Sequence, residues 1–343
     1  MVTIAADVHL KTTTFSVRNN DGERIVRQKV MNERDVLLNF IRQFPEEKQF
    51  SMEASYNWPL FHDLLKDEVD DFHLLHPKKL RAIIDSQSKT DANDADALSH
   101  LTHAGFIPLS YKADPDTRIF RRFLRTRVRM SMSINSIKRQ IHALINSYVF
   151  YSERPQNFKD LFCKRGLKYL SEVELPKDAR TLLNHLLYNI AAITKVRDSL
   201  DMEIETINFK PADRAVLETM PGMRGKVIKY VILAELDTIE RFRNARSLIA
   251  YSGLIPRERS SGEKIRKGHL RSDINHFLRW ALIEAVYPVI MADKNLKAYY
   301  KTVKERTNSS SARIACARKM LTIIYHMLKE KKPYHSEPMQ NCQ

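Results

Sequence analysis

The sequence predicts an α/β unit followed by a mostly helical remainder. Three observations predict it. Short β-branched runs alternate with amphipathic helical patterns in roughly the first third of the chain. Two long helical periodicities follow, and beyond Pro211 the pattern is again helical, broken by Gly- and Pro-containing turns and one basic, serine-containing segment. With 343 residues, 43% of them hydrophobic, two or three units are expected. The expected divisions are 1–110 (α/β), 111–209 (helical, with a coiled-coil pairing), 210–335 (mostly helical) and a tail over 336–343.

In chain order, residues 2–7 alternate weakly and end in Asp7. Residues 12–18 are β-branched and aromatic, and Asn19-Asn20-Asp21-Gly22 supplies a hairpin turn before a third strand over 24–30. Asn32 is the expected N-cap of a helix carrying Val36, Leu37, Phe40 and Ile41. A fourth strand is expected over 49–54, with Pro59 in the first turn of the next helix. A fifth covers 71–76, His76-Pro77 opens a short helix, and Asp91 opens another. Three meandering strands, then helix, strand, helix, strand, helix, is the order of a ribonuclease-H-like mixed sheet. Asp7 then falls on the central strand and Glu53 on the fourth.

Residues 118–146 read as one long helix, with Ile119, Phe123, Met130, Ile134, Ile137, Ile141 and Leu144 at three- and four-residue steps. Its other face carries Arg122, Arg125, Arg129, Lys138 and Arg139, and no acid occurs between Asp116 and Glu153. A solvated face would mix signs; a one-signed face of this length fits phosphate contact or an acidic partner better. Residues 180–207 read as another helix. The two are expected to pair as an antiparallel coiled coil, within one chain or between chains.

Charge narrows the function classes. Lys+Arg is 57 against Asp+Glu 41, a formal +16, which favours a polyanionic partner. No apolar run reaches the roughly 18 residues a spanning helix needs, and no signal segment opens the chain, so a cytoplasmic, nucleoid-associated protein is expected. Cys163, Cys316 and Cys342 form no Cys-x-x-Cys pair, which argues against a disulfide framework or a zinc ribbon.

Within Lys89-Thr90-Asp91-Ala92-Asn93-Asp94-Ala95, the two aspartates lie three apart where an apolar helical pattern begins. Asp91 and Asp94 therefore share a helix face. Like charges held that close ask for a metal ion or a basic partner. With Asp7 and Glu53 at strand ends, four acids from separate elements are expected to meet at one end of the sheet. Each has a plainer reading: Asp7 as a turn residue, Glu53 as a solvated strand end, Asp91 and Asp94 as charges favouring the helix dipole. Asp96 is assigned to that last kind.

Further on, Pro221-Gly222-Met223-Arg224-Gly225-Lys226 joins two helical patterns as in a helix–hairpin–helix element. Gly222 and Gly225 would let backbone amides approach a phosphate, with Lys226 adding charge; a plain interhelical turn is the competing reading. The segment from Arg257 to Gly268 holds Ser260 and Ser261 before Gly262 in a loop dense with cations. Ordinary turn chemistry fits it best on composition. A serine oxygen can also attack phosphorus if it loses its proton and the phosphate charge is neutralised nearby. Arg257, Arg259, Lys264, Arg266 and Lys267 would supply the neutralisation.

Taken together, Ala6-Asp7, Met52-Glu53-Ala54, His76-Pro77, Lys89-Thr90-Asp91 with Asn93-Asp94-Ala95, Pro221-Gly222-Met223, Ala234-Glu235, Leu254-Ile255-Pro256, Ser260-Ser261-Gly262 and Asn275 with Arg279 resemble one family. It is that of the insertion-sequence transposases with an Asp-Glu-Asp-Asp (DEDD) set on a RuvC-type domain and a serine in a C-terminal transposase domain. The pilin-gene invertases belong to the same group. The resemblance covers nearly the whole chain. It implies site-specific DNA recombination in which Asp7, Glu53, Asp91 and Asp94 hold magnesium. Ser261, with Ser260 next, would attack DNA to give a phosphoserine link. It also implies a non-coding guide (bridge) RNA that pairs with donor and target DNA, and dimers assembling into tetramers. Asn275 and Arg279 enter as nucleic-acid contacts. The family shows a glycine before that asparagine; here it is Ile274. A two-metal nuclease without serine chemistry and a non-catalytic RNA- or DNA-binding protein are the alternatives.

Overall fold

The computed structural model describes the chain except residues 84–90, 156–159, 225–226, 262–263, 271–273 and 337–343, and describes backbone alone at 91–92, 256–261 and 264–270. Two compact units result, Met1–Ala113 and Asp114–Gln343.

In the first unit, β1 (Val2–Val8), β2 (Thr12–Arg18) and β3 (Arg24–Met31) form an antiparallel meander, followed by α1 (Arg34–Arg42), β4 (Lys48–Glu53), α2 (Trp58–Leu65), β5 (Asp71–Leu75), α3 (Pro77–Arg81) and α4 (Asp91–His103). The sheet order is β3-β2-β1-β4-β5, with β4 and β5 parallel to β1. This is the mixed five-stranded sheet the sequence predicts. The N-cap of α1 is Glu33, not Asn32. The Asn32 amide instead donates to His9 O (2.8 Å) and Leu10 O (3.3 Å) and accepts from Thr13 Oγ1 (2.6 Å), closing the β1–β2 turn.

One sheet face buries Ile4, Ala6, Phe15, Phe50 and Met52 against Leu37, Phe40, Phe61 and Leu65 of α1 and α2. The other face is more polar, because α4 docks on it through hydrogen bonds as well as apolar contact. Thr102 Oγ1 donates to Ser51 Oγ (2.8 Å), and Ser99 Oγ meets Ser16 Oγ (2.9 Å). Asp96 pairs with Arg18 (2.8 Å) and Arg24 (2.9 Å). Asp96 is thus no helix-dipole bystander; it ties α4 to the meander.

In the second unit, α5 (Pro115–Tyr148), α6 (Lys164–Glu172) and α7 (Lys177–Thr206) lead to α8 (Pro211–Glu218), α9 (Ile228–Leu236) and α10 (Ala245–Ser252). A hairpin of β6 (Pro256–Ser261) and β7 (Lys264–Leu270) precedes α11 (His276–Ala292), α12 (Lys294–Arg306) and α13 (Ser309–Glu330). α5 and α7 pair within the chain. Arg127 bonds both carboxylate oxygens of Asp201 at 2.7 and 2.8 Å, and Ile141 and Ile145 pack with Leu183 and Leu186, so the helices run antiparallel. The first half of α5 departs from the expected stripe: Phe120, Leu124 and Val128 are buried, whereas Ile119 is 56% exposed. No helix among the described residues is long and apolar enough to cross a membrane.

Candidate active site

The sequence-predicted acids of the first unit lie where β1 and β4 end. Parallel pairing sets Ala6 beside Met52, so Asp7 and Glu53, each one residue on, are neighbours on the same face. Both are half-buried. His9, two residues beyond Asp7 and hence on the same side, brings Nε2 to 3.1 Å from Asp7 Oδ2. Antiparallel β2 sets Thr14 opposite Asp7. Among the described residues, the buried Thr14 Oγ1 has no hydrogen-bond partner. An unmet buried hydroxyl costs about 1–3 kcal/mol.

Asp94 lies on α4, which covers this face, and shares its stripe with buried Ala95 and Leu98. Asp91 opens the same helix, but its side chain lies outside the described residues. Among the described residues, no group of three or more His, Cys, Asp or Glu side chains could hold a metal ion. Among the described residues, the register thus brings Asp7 and Glu53 together on one face. The donors present, two carboxylates beside an unmet hydroxyl, are hard oxygens. That chemistry fits a magnesium-like cation and not a soft metal.

The serine segment is a β-hairpin, not the expected loop. Ser261 is the last residue of β6 and pairs with Lys264, Ser260 with Ile265, Arg259 with Arg266, and Glu258 with Lys267. The side chains of Arg257, Arg259, Ser260, Ser261, Lys264, Arg266 and Lys267 lie outside the described residues. The roots of the hairpin are firmly held. Arg318 donates twice to Leu254 O (3.1 and 2.7 Å), and Asn275 N donates to Tyr251 O at 3.0 Å. Gly253 ends α10 in the left-handed region, where a Cβ would meet Ile274 Cγ2 at 2.5 Å. Ile274 is not among the residues with positive φ. The departure from the family's glycine is thus accommodated, the isoleucine packing over Gly253.

Several predicted nucleic-acid contacts turn out to be engaged inside the unit. Arg125 Nε and Nη2 donate to Glu235 Oε1 and Oε2 at 2.7 and 2.8 Å, and Asn275 Nδ2 donates to the same carboxylate at 2.7 Å. Asn275 also caps α11 by accepting from Leu278 N (2.9 Å). Burial would raise the Glu235 pKa, but the bonds from Arg125 and Asn275 outweigh it and hold the carboxyl below its usual range. Arg125 and Asn275, expected as nucleic-acid contacts, thus have structural partners inside the unit. The pairing was invisible because its partners come from α5, α9 and the start of α11.

Gly222 has a packing role in this structure. At φ 81° it lies in the left-handed region, and a Cβ there would sit 2.6 Å from Pro288 C in α11. Its bareness serves helix packing whatever it does at a phosphate. Gly222→Ala is expected to cost about 1–3 kcal/mol, read as a lowered thermal midpoint with nucleic-acid affinity unchanged below it. Gly225 and Lys226 lie outside the described residues. Arg129 and Lys138 lie over Phe277 and Phe162 rings at 5.6 and 4.6 Å, Arg279 Nη2 is 3.3 Å from His276 Nδ1, and Arg122 and Arg139 are exposed.

Comparison with known proteins gives two family matches. Residues 4–150 match the DEDD IS110-type family model described as Transposase, and residues 214–301 match the one described as Transposase IS116/IS110/IS902 family. The chain is 24% identical over 266 residues to the transposase for insertion sequence element IS1111A of Coxiella burnetii, covering 76% of this chain and 72% of that protein. It is 20% identical over 329 residues to a probable family 20 transposase of Pseudomonas aeruginosa, covering 95% and 96%. Identity to the pilin gene-inverting protein of Moraxella bovis is 30% over 126 residues, 35% of this chain and 38% of that protein.

Proposed function

The chain belongs to the IS110/IS116/IS902 family of transposases, and from that premise we propose that it cuts and rejoins DNA through a phosphoserine link, with magnesium at the acids and a guide RNA choosing the sites. That the protein is a DNA transposase or recombinase follows from the family; the chemistry and the guide are the proposal. The observation that carries it is the register that makes Asp7 and Glu53 neighbours, in a segment matching a DEDD transposase.

Asp7, Glu53, Asp91 and Asp94 would hold the cation. Bound there, it would neutralise phosphate charge at the scissile link. His9 holds the Asp7 carboxylate in orientation. Ser261 Oγ, with Ser260 as the alternative, bonds to phosphorus while the bond from phosphorus to the departing deoxyribose oxygen breaks. That oxygen keeps the electron pair and takes up a proton in place of the one the serine gives up. The acids and the serine belong to different units, which accords with subunits sharing a composite site in a dimer or tetramer. Sequence choice by RNA pairing accords with cations that contact phosphate and read no bases.

Denaturing gels of the full-length protein with labelled element ends test this. Wild type is expected to carry DNA covalently, and Ser261→Ala is expected to lose that adduct; cleavage at the normal rate by the variant would return the protein to the nuclease reading. Arg122→Glu with Arg139→Glu is expected to flatten the salt dependence of binding, by roughly 0.9 in log–log slope for each duplex phosphate no longer neutralised. An unchanged slope removes α5 from the interface.

A further inference from the structure

Where α1 and α2 meet the turn after β1, the first unit opens a cavity of about 320 Å³ whose walls include Leu10, Tyr56, Leu60, Asn57 and Arg34. Leu10, Tyr56 and Leu60 are large apolar side chains left 74%, 71% and 64% exposed. Apolar surface gathered round a concavity is a recognition feature more often than an accident. We propose that this cavity takes one unpaired nucleobase of the strand delivered to the acids, stacked on Tyr56.

Four features choose that occupant. The volume sits at the small end of ligand cavities, suited to a single flat group. An aromatic wall with aliphatic neighbours gives any base a stacking surface, independent of sequence. The polar groups suit base edges and the backbone beside them. Asn57 Oδ1 is taken by Ser55 Oγ (2.6 Å), leaving amide N–H donors for base acceptors, and exposed Arg34 supplies positive charge for a neighbouring phosphate. Lastly, the cavity walls adjoin the candidate site along the chain. Tyr56 and Asn57 follow Glu53 by three and four residues, and Leu10 follows His9, the side chain that meets Asp7. Asn32 holds that turn by donating to both His9 O and Leu10 O. The proposed strand, with its phosphate at the acids, sets one unstacked base against this wall. The inference rests on the proposed chemistry only in naming the strand; the stacking is independent of cleavage.

The test uses full-length protein in EDTA, so that no cleavage enters. Binding of a single-stranded oligonucleotide is compared with binding of the same sequence as duplex, by fluorescence anisotropy. Tyr56→Ala is expected to weaken single-strand binding roughly 5- to 100-fold, the size of one lost stack, and to leave duplex binding unchanged. Tyr56→Phe, which keeps the stacking ring, is expected to bind as wild type. A 5-iodouracil oligonucleotide is expected to crosslink at Tyr56, in wild type and in Asp7→Asn alike, and DNA and RNA versions report which strand is preferred. Unchanged single-strand affinity in Tyr56→Ala together with no crosslink at Tyr56 overturns the proposal. So does a Leu60→Ala protein whose oligomeric state changes by light scattering while its oligonucleotide affinity does not, which would assign the cavity to a second copy. A protein that crosslinks at Tyr56 but forms no DNA adduct keeps the cavity and loses the serine chemistry.

Discussion

Arg125→Ala is expected to destabilise the second unit by about 3–5 kcal/mol, lowering its thermal midpoint by roughly 10 °C. The reason is asymmetry within the pair. The Glu235 side chain is only 2% exposed, whereas that of Arg125 is 37% exposed. Removing the arginine strands a carboxylate with almost no water. Asn275 still donates one bond at 2.7 Å, and Arg121 Nε stays 3.9 Å away, too few to replace a two-pronged guanidinium. Glu235→Gln leaves the charge on Arg125, which keeps partial hydration and its place over the Phe277 ring at 5.0 Å, so about 2–3 kcal/mol is expected. Thermal melts of the two variants side by side check the order. A phosphate-contact role for Arg125 predicts the reverse pattern, with Arg125→Ala melting as wild type and binding nucleic acid weakly.

The same pair gives stability a direction with pH. Glu235 has a folded pKa below its unfolded value near 4.3. Its contribution is therefore fully present above about pH 4.3 and is lost as pH falls through the lowered folded pKa. Glu235→Gln should flatten that acid limb of the unfolding curve.

What could be seen in advance follows the range of each interaction. The five strands were legible because period-two alternation and the Asn19–Gly22 turn are local, and one chain order then fixes Asp7 beside Glu53. On α5, apolar residues occur on both candidate stripes. Ile119 and Phe123 keep the helical period as well as Phe120 and Leu124 do, so periodicity could not choose; packing against α9 and Phe209 buries the second set. The Arg125–Glu235 pair spans 110 residues and carries no local trace. His9 does leave a faint one: an acid and a histidine two apart at a strand end point to the same side. The hairpin holding Ser261 was hidden because its strands are as charged as a loop, and pairing with each other alone demands no apolar face.

Asp7→Asn and Glu53→Gln are each expected to reduce divalent-dependent DNA cleavage by about 10³-fold, several kcal/mol of lost charge stabilisation, while nucleic-acid affinity stays near normal. Amides keep the shape of the acids and remove the negative charge a hard cation requires. Fold stability should hardly fall, because both side chains are half-buried at strand ends on one sheet face and the amides keep their shape. Unchanged thermal midpoints beside lost cleavage are thus the signature of a metal pair. His9→Ala separates positioning from ligation. It removes the His9 contact, 3.1 Å from Asp7 Oδ2, without removing a carboxylate, so more magnesium should restore its cleavage, whereas Asp7→Asn should stay inactive at any concentration. Cleavage assayed across a magnesium titration, with melting curves on the same samples, distinguishes the cases. If Asp7→Asn and Glu53→Gln both cut DNA at the wild-type rate, the carboxylate pair is a feature of the sheet edge and the chemistry lies elsewhere in the chain.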